Sequence, residues 1–109
     1  MIIGSFQSRD DGYVGRVHTL SLDVELSIVR AEPSETEGAP DWRVFLGNVR
    51  DGVEIGVGRT DIGSLGLAIA IEIDDPALGV PLRANLVCDT FRKGPLRLRW
   101  SRSDTLRKP

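Results

Sequence analysis

Residues 66–88 contain two runs of alternating apolar side chains, separated by a connection that a helix cannot cross. The first run has apolar residues at 67, 69, 71 and 73, and the second at 82, 84, 86 and 88. A period of two is the spacing of one face of a β-strand. Asp74, Asp75 and Pro76 end the first run, since the residue before a proline disfavours helical angles. The stretch predicts two strands, which either pair directly or lie in opposite sheets.

Shorter runs with the same period lie on both sides of this stretch, at residues 3–6, 13–18, 20–28, 42–46, 53–57 and 96–100. Turn-forming residues separate them, among them Asp10-Asp11-Gly12, which is a typical hairpin signal. No segment has a helical period of useful length. We therefore expect an all-β fold, a small antiparallel sandwich or partly open barrel of about seven or eight short strands.

The length of 109 residues suits one domain, which we place at residues 1–102, with residues 103–109 as a disordered basic tail. The single cysteine excludes an internal disulfide. The first residues lack the pattern of a signal peptide, and no apolar run approaches the roughly 20 residues that span a bilayer. The expectation is a cytoplasmic protein that has no membrane contact.

Two positions constrain how the strands face the core. The apolar residues are odd-numbered at Tyr13 and Val17 and even-numbered from Leu20 onward, so a bulge or tight turn is predicted near Thr19. In residues 53–57 the apolar residues are predicted to share one face. The bare backbone of the neighbouring Gly56 then lies on the other face.

The residue types that carry catalysis are scarce. His18 is predicted on the outer face of its strand, and Cys88 on the buried face as an inert thiol. Asp74 and Asp75 form an acidic pair, but before a proline such a pair favours turn formation over acid–base chemistry. The chain has no zinc-type spacing of cysteine and histidine and no phosphate-binding loop. We predict a protein that is not an enzyme and needs no cofactor.

The charge is distributed unevenly along the chain. Residues 1–90 carry 7 basic and 15 acidic residues, and residues 91–109 carry 7 basic and 1 acidic. This basic end is either a solvated segment that complements the acidic body or a stripe that follows a nucleic-acid backbone. In the first case Arg97 and Arg99 would pair with acids such as Asp23 and Glu25. In the second case the predicted nucleic-acid contacts are Arg92, Lys93, Arg97, Arg99 and Arg102.

Apolar residues also occupy the outer faces of the two central strands, at Ala68, Ala70 and Val87. An apolar second face requires a cover, either another sheet or another subunit. The leading hypothesis is therefore a domain that works through protein–protein contact, as a homodimer.

Several short motifs occur in the order found in one bacterial family. They are Ile3-Gly4-Ser5-Phe6, Asp11-Gly12-Tyr13, Gly15-Arg16-Val17, residues 20–26, residues 39–44, Ile73-Asp74-Asp75-Pro76, Arg83-Ala84-Asn85-Leu86 and Trp100-Ser101-Arg102. Over residues 2–102 the chain resembles domain-of-unknown-function family 736. The resemblance implies a cytoplasmic protein of proteobacteria, often encoded on plasmids and conjugative elements. It implies no activity and no site residue.

The chain departs from that family at two places. Family members tend to have a Trp-Lys pair where this chain has Val57-Gly58-Arg59, and a Tyr-Leu-Ser strand start where it has Leu67-Ala68-Ile69. If those aromatic and cationic residues serve a ligand in the family, this protein has lost part of that site. The more aliphatic strand is also consistent with an extra buried face at a subunit contact.

Overall fold

A computed structural model describes residues 1–10, 12–63, 66–88 and 96–100. Within these ranges it contains eight strands: β1 (Ile2–Arg9), β2 (Gly12–His18), β3 (Asp23–Arg30), β4 (Trp42–Leu46), β5 (Val53–Gly63), β6 (Gly66–Ile73), β7 (Leu82–Cys88) and β8 (Leu96–Arg99). Each strand pairs antiparallel with the next, and β8 pairs with β1, so that the sheet closes into a barrel. The all-β prediction is confirmed, and the predicted tail at 103–109 lies outside the described residues.

Strands β6 and β7, formed by the two alternating runs of residues 66–88, pair directly and do not lie in opposite sheets. Ile69 lies opposite Leu86, and Ile71 lies opposite Ala84. The side chains of all four residues are buried. The two alternating runs therefore form one wall of the barrel.

The core fills the barrel with aliphatic side chains from every described strand except β5, together with Phe6 and Trp42. The partly buried Ile55 of β5 packs against this core. The largest fully buried members of the core are Phe6, Leu26, Ile28, Ile69, Leu86, Leu98, Val17 and Val44. An eight-stranded barrel is just wide enough for inward side chains to fill it or to hold one small ligand. Whether this barrel has space for a ligand depends on how its two ends are closed.

The change of face predicted near Thr19 occurs in the tight turn between β2 and β3. The backbone N–H of Thr19 donates to the carbonyl oxygen of Leu22 at 2.8 Å. The Oγ1 atom of Thr19 accepts from the N–H of Leu22 at 3.1 Å. The turn allows Val17 before it and Val24 after it to pack in the same core.

The predicted facing of β5 is confirmed for Ile55 and wrong from Gly56 onward, because the strand contains a bulge. Glu54 lies opposite Phe45 and Gly56 opposite Val44, so Ile55 is an extra residue on the β5 side. A bulge of this kind reverses the facing of the residues that follow it. Gly56 therefore faces the interior and Val57 the exterior.

Gly58 lies two residues further along β5 and also faces the interior. A Cβ atom there would stand 2.9 Å from Cδ1 of Ile71 and 3.2 Å from Cβ of Trp42. The bare backbone at Gly58 lets the aromatic residue of β4 lie close to β5.

The two ends of the barrel differ in character. The aromatic end is where β2, β4, β6 and β8 begin, and it carries Tyr13 and Trp42. The apolar end is where these strands finish. It is formed by the β2–β3, β4–β5 and β6–β7 connections together with residues 1 and 100, whose backbones hydrogen-bond to each other.

Candidate functional site

Most of the exposed large hydrophobic side chains of the described residues lie at the apolar end. We call this set the apolar rim: Met1, Ile2, Leu20, Leu46, Val53 and Val80. Val49 is also exposed, but it lies beside Arg9 and Tyr13 and is not part of the rim. Leu20, in the β2–β3 turn, is fully exposed, and Val80, in the β6–β7 connection, is 72% exposed. Single exposed hydrophobic residues are ordinary, but a cluster of them marks a surface that binds something. The rim is therefore the first candidate functional surface.

A cavity of about 190 Å³ lies beneath the rim, inside the apolar end. Valine, leucine and isoleucine side chains supply most of its wall, among them Val24 of β3, Ile73 of β6 and Leu82 of β7. The β6–β7 connection closes one side with Ala77 and Leu78. Pockets of this kind, mainly apolar and at the mouth of a barrel, are common sites for small molecules.

Asp75 shapes the connection that closes this cavity. Its Oδ2 atom accepts the N–H of Ala77 at 2.8 Å, and its backbone oxygen accepts the N–H of Leu78 at 2.8 Å. Asp74 is exposed, and its N–H donates to the carbonyl oxygen of Ile55 at 2.9 Å. The turn predicted from the acidic pair is confirmed, because Asp75 is the residue that holds the connection in place.

The aromatic end is closed by Trp42, whose indole N–H has a hydrogen-bond partner. The ring of Trp42 is buried, and its Nε1 donates to Oγ1 of Thr60 at 2.9 Å. The Tyr13 ring lies beside it with a centroid distance of 5.5 Å, and the Arg30 guanidinium lies 5.0 Å from the Trp42 ring. Because this end is plugged, the cavity is reached from the apolar end.

The described arginines of the predicted nucleic-acid site lie on the outer wall of β8. Arg97 has Val87 and Ser5 as its cross-strand neighbours. Arg99, which is exposed, has Asn85 and Ile2. The two arginines therefore share one outer face of β8. The other predicted contacts lie outside the described residues: Arg92, Lys93 and Arg102.

Contrary to the alternative interpretation, Asp23 does not pair with Arg97 or Arg99. Asp23 binds Arg16 instead, with 2.6 Å between Nε of Arg16 and Oδ1 of Asp23. The hydrogen bond from Arg16 lowers the pKa of the Asp23 carboxyl. Glu25 also lies opposite Arg16 in the β2–β3 register. The acids of β3 are therefore next to Arg16 of β2.

A second ion pair lies on the outer wall of β4 and β5. Nη2 of Arg43 lies 2.8 Å from Oε1 of Glu54, and the hydrogen bond lowers the pKa of the Glu54 carboxyl. The guanidinium of Arg43 also lies 5.1 Å from the ring of Phe45, which faces outward yet is buried. The pair covers an apolar side chain on the outside of the barrel and is structural in character.

The structure describes part of the set of residues that were considered for catalysis. His18 is exposed at the end of β2, as predicted, opposite Asp23. The side chain of Cys88 lies outside what is described. Across residues 1–10, 12–63, 66–88 and 96–100, no three His, Cys, Asp or Glu residues come together as metal ligands.

The apolar outer patch predicted from the sequence is present but small. Ala68 and Val87 are cross-strand neighbours and half-buried, and Ala70 is exposed between Arg59 and Asn85. The apolar rim has more members, and the sequence alone does not predict it. Its members come from four separate turns and strand ends, where each is an ordinary surface residue. Only closure of the barrel brings them together.

Comparisons with known proteins place the chain in a family but give it no activity. No curated protein and no solved structure matches it. Within the described residues, the fold contains no helix with the length and apolar character needed to span a membrane. The family described as protein of unknown function (DUF736) matches residues 2–103, and the chain therefore belongs to that family, as its motifs indicate.

Proposed function

We propose that this protein is a non-enzymatic binding domain that acts through protein–protein contact, as a homodimer joined at the apolar end. The observation that supports the proposal is the apolar rim around one end of the barrel. A cytoplasmic location in bacteria and a link to plasmids or conjugative elements belong to the proposal too, and rest on the family resemblance described above.

A second copy of the chain suits the rim because a two-fold contact places the same surface against itself. Apolar side chains such as Leu20 and Val80 would then meet apolar side chains. The exposed charged residues at this end have both signs, with Arg16 and Asp23 near the β2–β3 turn and Asp74 in the β6–β7 connection. A contact between two copies at this end therefore does not bring together surfaces that carry charges of only one sign.

Light scattering coupled to size-exclusion chromatography, at micromolar concentration, tests the proposal. The wild-type chain should have the mass of a dimer, and the double variant Leu20→Glu/Val80→Glu that of a monomer. An unpaired carboxylate in an apolar contact is costly enough to weaken association by about 100-fold or more. Ala70→Glu, on the barrel wall, is the matched control and should remain dimeric. A monomeric wild type would refute the homodimer.

Nucleic-acid binding is a second candidate, supported by the position of Arg97 and Arg99 on one outer face of β8, where Arg99 is exposed. Fluorescence anisotropy with single- and double-stranded DNA at low salt tests it. Phosphate contacts predict binding that weakens steeply as salt rises and is lost in Arg97→Glu/Arg99→Glu. Binding that this variant leaves unchanged, or no binding at low salt, would eliminate the candidate.

A further inference from the structure

We infer that the cavity inside the apolar end binds one small, neutral, apolar molecule of the aromatic or short-chain hydrocarbon class. The cavity measures about 190 Å³ and is a gap in a barrel whose middle is fully packed. Apolar cavities of about 150 Å³ lined by aliphatic side chains stay dry and take up benzene or xenon. The space here has the size for a ligand of that kind.

The chemistry of the wall selects against charged and strongly polar ligands. Apart from Ala77, the apolar wall is built of valine, leucine and isoleucine, which offer no hydrogen bonds. The one charged residue on the wall is Asp75, and its Oδ2 already accepts the N–H of Ala77. A polar ligand would lose its hydration here and gain little in return, whereas an apolar ligand gains by leaving water.

The geometry also provides an entry route. Trp42 and Tyr13 plug the aromatic end, so a ligand enters from the apolar end. The rim side chains lie on the strand ends and turns of the same end, and Leu46 belongs to both the rim and the cavity wall. The rim thus offers an apolar approach to an apolar interior.

This inference goes beyond the proposed homodimer and does not depend on it. The rim residues Leu20 and Val80 are not part of the cavity wall, and the wall residues Val24 and Leu82 are not part of the rim. Variants can therefore alter one without the other. Loss of self-association in a rim variant leaves the cavity intact, and filling the cavity leaves the rim exposed.

Toluene titrated into methyl-labelled protein, followed by ¹H–¹³C NMR, tests the inference, with benzoate as a charged probe of similar size. Toluene should shift the methyl signals of the wall residues Val24, Leu78 and Leu82 saturably and raise the midpoint of thermal unfolding. Benzoate should do neither.

Val24→Phe, which fills the cavity, should weaken toluene binding at least about 10-fold. Ala77→Leu fills the cavity from the β6–β7 connection and replaces Val24→Phe in the test if Val24→Phe does not fold. Val53→Phe adds the same volume on the rim, outside the wall, and should bind toluene like the wild type.

Three results would overturn the inference. The first is an absence of wall-methyl shifts in toluene-saturated buffer. The second is an equal effect of Val24→Phe and Val53→Phe, or shifts confined to rim methyl groups such as that of Leu20. The third is toluene binding that appears only in the variant Leu20→Glu/Val80→Glu, because the wild-type cavity would then hold a side chain of the second copy.

Discussion

The ring of Phe6 lies against the backbone of Gly15, its cross-strand neighbour in the β1–β2 pair. A Cβ atom on Gly15 would stand 2.5 Å from Cγ of Phe6 and closer still to the carbonyl oxygen of Ser5. Phe6 has no exposed surface. The absence of a side chain at residue 15 therefore allows the Phe6 ring to lie against the sheet.

Gly15→Ala should destabilise the fold by about 2–3 kcal/mol, because an added methyl group must displace a buried ring and a backbone carbonyl. Gly79→Ala is the matched control, since a Cβ there meets no atom within 4 Å. That change should stay within about 0.5 kcal/mol. Urea unfolding followed by tryptophan fluorescence measures both. Equal free energies of unfolding would contradict the packing of Phe6 on Gly15.

Local alternation was enough to predict most of the barrel. The alternating runs of β6 and β7 predict which side chains of these strands are buried. The shift of the apolar residues from odd to even positions predicts the turn at Thr19. Asp75 could also be assigned, because an aspartate before a proline commonly bonds the backbone that follows it. Each of these features depends on neighbours in the sequence.

The features that could not be predicted depend on residues far apart in the chain. The bulge at Ile55 reflects the pairing of β5 with β4, and the sequence of β5 alone gives the opposite facing of Val57. The apolar rim joins Met1, Leu20 and Val80, which only barrel closure brings to one end. The candidate site was missed because it belongs to the assembled barrel and to no single motif.

The hydrogen bond from Trp42 to Thr60 gives a prediction for the aromatic end. Thr60→Val removes the acceptor and leaves the indole N–H of a buried ring unsatisfied, which should cost about 1–3 kcal/mol. Thr60→Ser keeps the hydroxyl and should cost less. The indole N–H signal of Trp42 in ¹H NMR should move in Thr60→Val and stay near its place in Thr60→Ser. An unmoved signal in both variants would exclude this bond.

The Arg43–Glu54 pair predicts a pH-dependent contribution to stability. Because Arg43 lowers the pKa of Glu54 in the folded state, the carboxylate stabilises the fold above its unfolded pKa of about 4.3. That contribution is lost as the pH falls through the lowered folded pKa. Glu54→Gln should therefore be less stable than the wild type at pH 7, by less than Gly15→Ala, and the difference should vanish in acid.

A double-mutant cycle with Arg43→Gln, measured by urea unfolding between pH 7 and pH 2, isolates the pair from the contact between Arg43 and Phe45. The coupling free energy should be present at pH 7 and absent at the acid end. A coupling that does not change with pH would mean that the charge of Glu54 contributes nothing to the interaction.

Asp75 links the stability of the fold to the shape of the cavity, and this gives the last prediction. Asp75→Ala removes the acceptor for the N–H of Ala77 and should cost about 1 kcal/mol. It should also loosen the connection that places Leu78 on the cavity wall. Asp74→Ala is the control, because the contact of Asp74 with Ile55 runs through its backbone N–H and survives the change. Amide hydrogen exchange at Ala77 and Leu78 should accelerate in Asp75→Ala and remain slow in Asp74→Ala. If the two variants exchange alike, the connection is held by its proline and its apolar contacts, and the Asp75 carboxylate has no part in shaping the cavity.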